Sequence, residues 1–106
     1  MADDYYCEQV LSGRVEIDIV AETEFVLAFH HTKPRWPVHI VVIPKQHVDS
    51  LVEAVDRSLV IKIMEVLREI ILKITREHGG CRLTTNFGRF QSTKHLHWHV
   101  YVGEDM

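Results

Sequence analysis

Gln91-Ser92-Thr93-Lys94-His95-Leu96-His97-Trp98-His99-Val100-Tyr101-Val102 is the stretch on which the fold of this chain turns. From Leu96 onward every second residue is apolar, and positions 95, 97 and 99 are all histidine. Side chains alternate between the two faces of a strand, so the three imidazoles share one face. Leu96, Trp98, Val100 and Val102 line the other. Unbroken alternation of this kind argues for strand rather than helix. Histidine is a poor generic choice for a strand surface, and three in register mark a site.

Working outward, Cys81 to Asn86 reads as the preceding strand, with Phe87 to Phe90 as the turn between them. Gly79-Gly80 supplies a left-handed helix stop. The main helix is expected from about Arg57 to Glu77, with Ser58, Lys62, Glu65, Glu69, Lys73 and Arg76 on one polar stripe. Its remaining surface, including Leu59, Ile63, Met64, Leu67, Ile70 and Ile74, is wider than one sheet face needs, which points to a second buried contact with another subunit. Ser50-Leu51-Val52-Glu53 matches a capping box and predicts a short helix there. Further back, Val38 to Ile43 is a β-branched strand ended by Pro44. His30 to Pro37 is a loop because its prolines remove ladder donors. Phe25 to Phe29 and the alternating Val15 to Val20 read as a strand hairpin. Strands on both sides of one long helix give an α+β class, a sheet covered by helix on one face.

At 106 residues the chain fits one domain, 1–106, with residues 1–13 as a leader and 91–102 as the histidine strand. A formal net charge of −3 gives no basic footprint for nucleic acid. Cys7 and Cys81 form no disulfide framework, which suits a reducing compartment. The N-terminus lacks the pattern of a secretory signal, and no apolar run reaches the length of a membrane span. A cytoplasmic protein without membrane or nucleic-acid partners is expected.

Clustered imidazoles serve metal ligation, proton transfer or nucleophilic catalysis. The neighbouring Asn86, Ser92 and Thr93 are neutral donors rather than carboxylates, a set that suits anionic phosphate oxygens. Phosphoryl or nucleotidyl transfer through a phosphohistidine-type intermediate fits that set.

His95-Leu96-His97-Trp98-His99-Val100-Tyr101 resembles the signature of the histidine triad (HIT) superfamily. The resemblance extends over nearly the whole chain through Phe29 to Pro37, Val38-His39, Val42-Ile43-Pro44-Lys45, His47, Asn86 and Gln91-Ser92, and is greatest to the histidine triad nucleotide-binding (Hint) branch. It implies a five-stranded antiparallel sheet with one long and one short helix, and a homodimer whose sheets join into ten strands. It also implies a hydrolase that cleaves nucleoside 5′-phosphoramidates, or related nucleotide conjugates, at the α-phosphorus. His97 is then the nucleophile, its other ring nitrogen held by a backbone carbonyl. His99 and Ser92 contact phosphate, and His99 helps protonate the leaving group. His39 and His95 support the nucleophile, while Asn86, Gln91 and Phe29 contact substrate. The loop from Asn86 to Ser92 is two residues shorter than is common in that branch.

Two departures stand out. Where the family usually has Asp-Ile, with the aspartate gripping ribose hydroxyls, this chain has His31-Thr32. An imidazole in place of an acceptor-only carboxylate weakens bidentate ribose recognition and leaves base preference open. Secondly, many relatives bind structural zinc through Cys-x-x-Cys and two histidines. Here the matching set is Asp4, Cys7, His47 and His95, either a zinc site or, as the sequence reading prefers, a metal-free remnant. Catalysis itself is expected to need no metal. The alternatives are a dinucleoside polyphosphate hydrolase and a nucleotide- or partner-binding module with weak or no turnover.

Overall fold

The structure, a computed structural model, describes residues 4–53 and 56–103. Five strands, β1 (Ile19–Glu22), β2 (Val26–His30), β3 (Val38–Pro44), β4 (Arg82–Thr85) and β5 (Trp98–Val102), form one antiparallel sheet in the order β1-β2-β3-β5-β4. The long helix α1 spans Arg57–His78. Among the described residues no helix is long and apolar enough to cross a membrane.

The sheet's two faces meet different partners. Val26, Ala28, Ile40, Val42, Leu96, Trp98 and Val100 pack against Leu59, Ile63, Val66, Leu67, Ile70 and Ile74 of α1. On the opposite face Leu27, Phe29, Val41 and Ile43 pack against Tyr6 and Val10. Burial on both faces is why β2 and β3 read as near-continuous apolar runs rather than clean alternation. Leu67 is 1% exposed, so truncating it to alanine costs about 2–5 kcal/mol.

α1 starts and stops by chemistry legible in its ends. The Asp56 carboxylate accepts the amides of Ser58 and Leu59, at 2.9 and 3.4 Å. Gly79 adopts φ +85°, a left-handed position, and its amide returns to Thr75 O. The outward stripe Ile61, Met64 and Leu72 remains exposed on the single chain, at 58, 40 and 51%.

Four boundaries differ from expectation, each for a local reason. The first strand lies at 19–22 rather than 15–20: its pairing with β2 is irregular between Ile19 and Ala21, and the bond from the His30 amide to Asp18 O is the last before the segment leaves the sheet. Val15 instead donates its amide to Gln9 O, and Ile17 packs on the Tyr6 cluster. No helix opens at Ser50. Residues 51–53 form a turn in which the Ser50 hydroxyl donates to Glu53 and the Val52 amide donates to Ser50 Oγ. Short helices lie elsewhere, at Tyr6–Val10, where the Leu11 amide reaches back to Tyr6 O, and at Gly88–Phe90. Finally, the ladder of β5 begins at Trp98, not at the first histidine. Trp98 pairs with Val42, and two steps beyond Val42 in β3 lies Pro44, which has no amide to donate. The Leu96 amide turns away to Val48 O at 2.6 Å. His95 and His97 therefore sit on the extended lead-in to β5, still facing opposite to Leu96.

Candidate active site

The lead-in geometry fixes the central imidazole. His97 Nδ1 donates to the carbonyl of His95 at 2.7 Å, which leaves Nε2 as the unprotonated nitrogen. That Nε2 is buried and has no hydrogen-bond partner. Burial holds the ring below the usual imidazole range, so it is neutral near pH 7. The side chain is 1% exposed, flanked by the rings of Tyr6 and His99, each 5.0 Å away between centroids. A buried, neutral, unpaired ring nitrogen is a poised nucleophile.

His99 stands one pleat further on, with its Nδ1 2.8 Å from His39 Nε2. The Arg35 amide donates to His39 Nδ1 at 3.3 Å, so His39 carries its proton on Nε2 and gives it to His99. His99 in turn carries a proton on Nε2, free to donate to a substrate. Burial, with His97 and His39 nearby, lowers His99 to about 3, and burial lowers His39 to about 4. His39 thus orients His99, and the contact to His97 is made by His95, through its carbonyl.

A cleft of about 520 Å³ is lined by His31, His39, His99, Asn86, Ser92 and Trp36, among others. Trp36 stacks on Tyr101 at 3.9 Å. Phe29 and Tyr6 line an adjoining cleft that shares His31, Lys33 and Ser92 with the first. Trp98 is buried on the α1 face, away from the histidines, as alternation requires. Gln91 is not brought to the cleft: its Nε2 donates to Asp49 O across the turn, and the side chain is buried there.

The four residues of the second group do come together. One ligand atom from each of Asp4, Cys7, His47 and His95 lies within 4.8 Å of the others. His95 Nδ1 is 3.0 Å from Asp4 Oδ2 and 3.4 Å from Cys7 Sγ, and His47 Nδ1 contacts Asp4 Oδ2. The far nitrogens are tied to oxygens, His95 Nε2 to Pro44 O at 2.8 Å and His47 Nε2 to Asp49 Oδ1 at 2.6 Å. This is the outer-shell wiring that turns Nδ1 into a metal ligand. Burial pushes the Asp4 carboxyl up, but bonds from Cys7 and His95 outweigh it and hold the group at about 2. The donor set, one carboxylate, one thiol and two imidazoles, suits tetrahedral zinc.

Tyr6, Lys33 and Arg35 were not singled out by sequence reasoning. Tyr6 lies in the leader, where nothing in the sequence ties it to residue 97. Lys33 and Arg35 flank Pro34 in the loop, and their charge was the one available signal.

A five-stranded antiparallel sheet carrying a buried histidine row on the face away from its helix defines a histidine triad domain. Residues 12–106 match the HIT domain family, and the chain belongs to it. It is 32% identical over 111 residues to an uncharacterized HIT-like protein of Synechococcus elongatus, covering 100% of this chain and 96% of that one. A HIT family hydrolase from Legionella pneumophila superposes with TM-score 0.82 at 25% identity, covering 98% of this chain and 96% of that one. A zinc-bound histidine triad protein from Mycobacterium smegmatis superposes with TM-score 0.80 at 26% identity, covering 92% and 73% respectively.

Proposed function

We propose that this chain is a nucleotide hydrolase that cleaves nucleoside 5′-phosphoramidates, or related nucleotide conjugates, through a nucleotidyl-His97 intermediate. The observation that carries the reading is His97 itself: Nδ1–H fixed by a carbonyl, Nε2 buried without a partner. In the first step His97 Nε2 bonds to the α-phosphorus and the P–N bond to the leaving amine breaks; the amine takes a proton from solvent, while neutral His99 donates its Nε2–H as a hydrogen bond to a phosphate oxygen. In the second, water attacks the same phosphorus and releases a proton to solvent, the P–Nε2 bond breaks, and nucleoside monophosphate leaves. One hard displacement becomes two easier ones because neutral imidazole both attacks and departs well. Ser92 and Asn86 donate to phosphate from the cleft wall.

Asp4, Cys7, His47 and His95 would hold a zinc ion, which there would brace the leader against the histidine row and supply no chemistry. The exposed Ile61, Met64 and Leu72 stripe supports a homodimer. His97→Ala tests the enzyme reading. It should keep nucleotide affinity within a few-fold while turnover of an adenosine 5′-phosphoramidate falls by about 10⁴ or more. No turnover by the parent either would leave a binding module instead.

A further inference from the structure

The three imidazoles of the cleft are wired as donors. The Lys33 amide donates to His31 Nδ1 at 2.9 Å, and the Arg35 amide donates to His39 Nδ1. Each ring therefore carries its proton on Nε2, and His39 passes the same arrangement to His99. Ligand atoms of His31, His39 and His99 lie within 4.8 Å of one another, a spacing a metal could span. A metal needs lone pairs, however, and His31 and His99 turn N–H inward, while the N–H of His39 is spent on His99. His31 also stacks on His39, with centroids 4.3 Å apart, which holds its plane along the wall.

The rest of that wall has one sign of charge. Lys33 and Arg35 line the cleft, and among the described residues no aspartate or glutamate does. Neither cation is paired with a carboxylate among the described residues. The α-phosphate assigned above needs only His99, Ser92 and Asn86, so His31, Lys33 and Arg35 are left over as a separate group of donors. Two cations and a neutral N–H match a dianionic phosphate monoester. They do not match a ribose diol, which needs an acceptor.

We infer that His31, Lys33 and Arg35 form a subsite for a second phosphate, so that the cleft takes a nucleotide bearing an additional monoester phosphate. The inference rests on the reading of His97 and His99 as the α-phosphate machinery. Two sources share this chemistry, a β-phosphate in line with the α-phosphate and a phosphate on the ribose. Burial lowers the His31 imidazole below its usual range, so near pH 7 the positive charge comes from Lys33 and Arg35.

The test is calorimetric titration of the full chain with AMP, ADP and adenosine 3′,5′-bisphosphate. ADP or the bisphosphate should bind at least about tenfold more tightly than AMP. The winner identifies the source as in-line or ribose phosphate. The advantage should shrink at high salt and fall to within about twofold in the Lys33→Ala/Arg35→Ala double variant, whose exposed side chains are not needed for folding. Equal affinity for all three, or an advantage that survives the double variant, overturns the subsite and leaves the hydrolase reading standing. If none binds, the subsite fails; His97 nucleotidylation by adenosine 5′-phosphoramidate then decides separately whether the hydrolase reading fails with it.

Discussion

At one end of the histidine row, His47 and His95 face a carboxylate and a thiol; at the other, His31, His39 and His99 share a cleft with Lys33 and Arg35. The two groups have similar spacing and opposite wiring. In the first, the outer ring nitrogens donate to Asp49 and Pro44 oxygens, so Nδ1 is available inward to a cation. In the second, the outer nitrogens of His31 and His39 accept backbone amides, so the N–H of His31 points inward directly and that of His39 sets His99 to do the same, toward an anion. What an imidazole cluster binds is set by the atom behind each ring, and spacing alone does not decide it.

The sharpest way to break this contrast is a pair of variants. His99→Ala should lower kcat/KM by about 10²–10³, the usual worth of one positioned donor to developing charge, without changing zinc content. His47→Ala should do the reverse, abolishing bound zinc on metal analysis while turnover stays within a few-fold. If either variant moves both readouts equally, the clusters are not separate. Next in size, saturating zinc should raise Tm of the parent, by linkage worth about 2.7 kcal/mol at a hundredfold excess over Kd. Cys7→Ala should lose that rise, and Asp49→Asn should weaken zinc binding by about 10–100-fold.

Acid stability separates the clusters by window. His31, His39 and His99 are held below the usual imidazole value, to about 4 and 3 for the latter two. The unfolded chain therefore binds more protons than the folded one as pH falls below 6.5, and stability drops between there and about 3. Asp4, held at about 2, adds stability that is present above its ordinary value of 3.8 and lost only as pH falls toward 2. A Tm–pH profile should show the first loss flattened by His39→Asn and the second by Asp4→Asn. The smallest effect expected is from Gln91→Ala, which leaves turnover within about threefold because its side chain holds the Asp49 turn rather than substrate. A loss above about tenfold would return Gln91 to the cleft.

Much of this was legible in the chain. Alternation at 96–102 places three imidazoles opposite Trp98, and the helix with its glycine stop follows from periodicity and backbone freedom. The match to a known signature carries the carbonyl behind His97, which the 2.7 Å bond supports. What escaped was non-local. That β5 begins at Trp98 depends on Pro44 two steps beyond its partner Val42, and no reading of residues 91–102 contains that information. That Ser50 closes a turn while Asp56 caps the helix depends on tertiary context that the Ser50–Glu53 pattern does not contain. The donor or acceptor sense of His31 depends on the Lys33 amide, a backbone atom that every sequence possesses.

The most direct measurement is intact-mass spectrometry of the full chain quenched during turnover of adenosine 5′-phosphoramidate, followed by mapping of any adduct. A nucleotidyl mass on His97, absent from His97→Ala, is the predicted result. Release of AMP with the adduct on another residue would contradict the assigned nucleophile; neither adduct nor AMP would contradict the hydrolase reading for this substrate class.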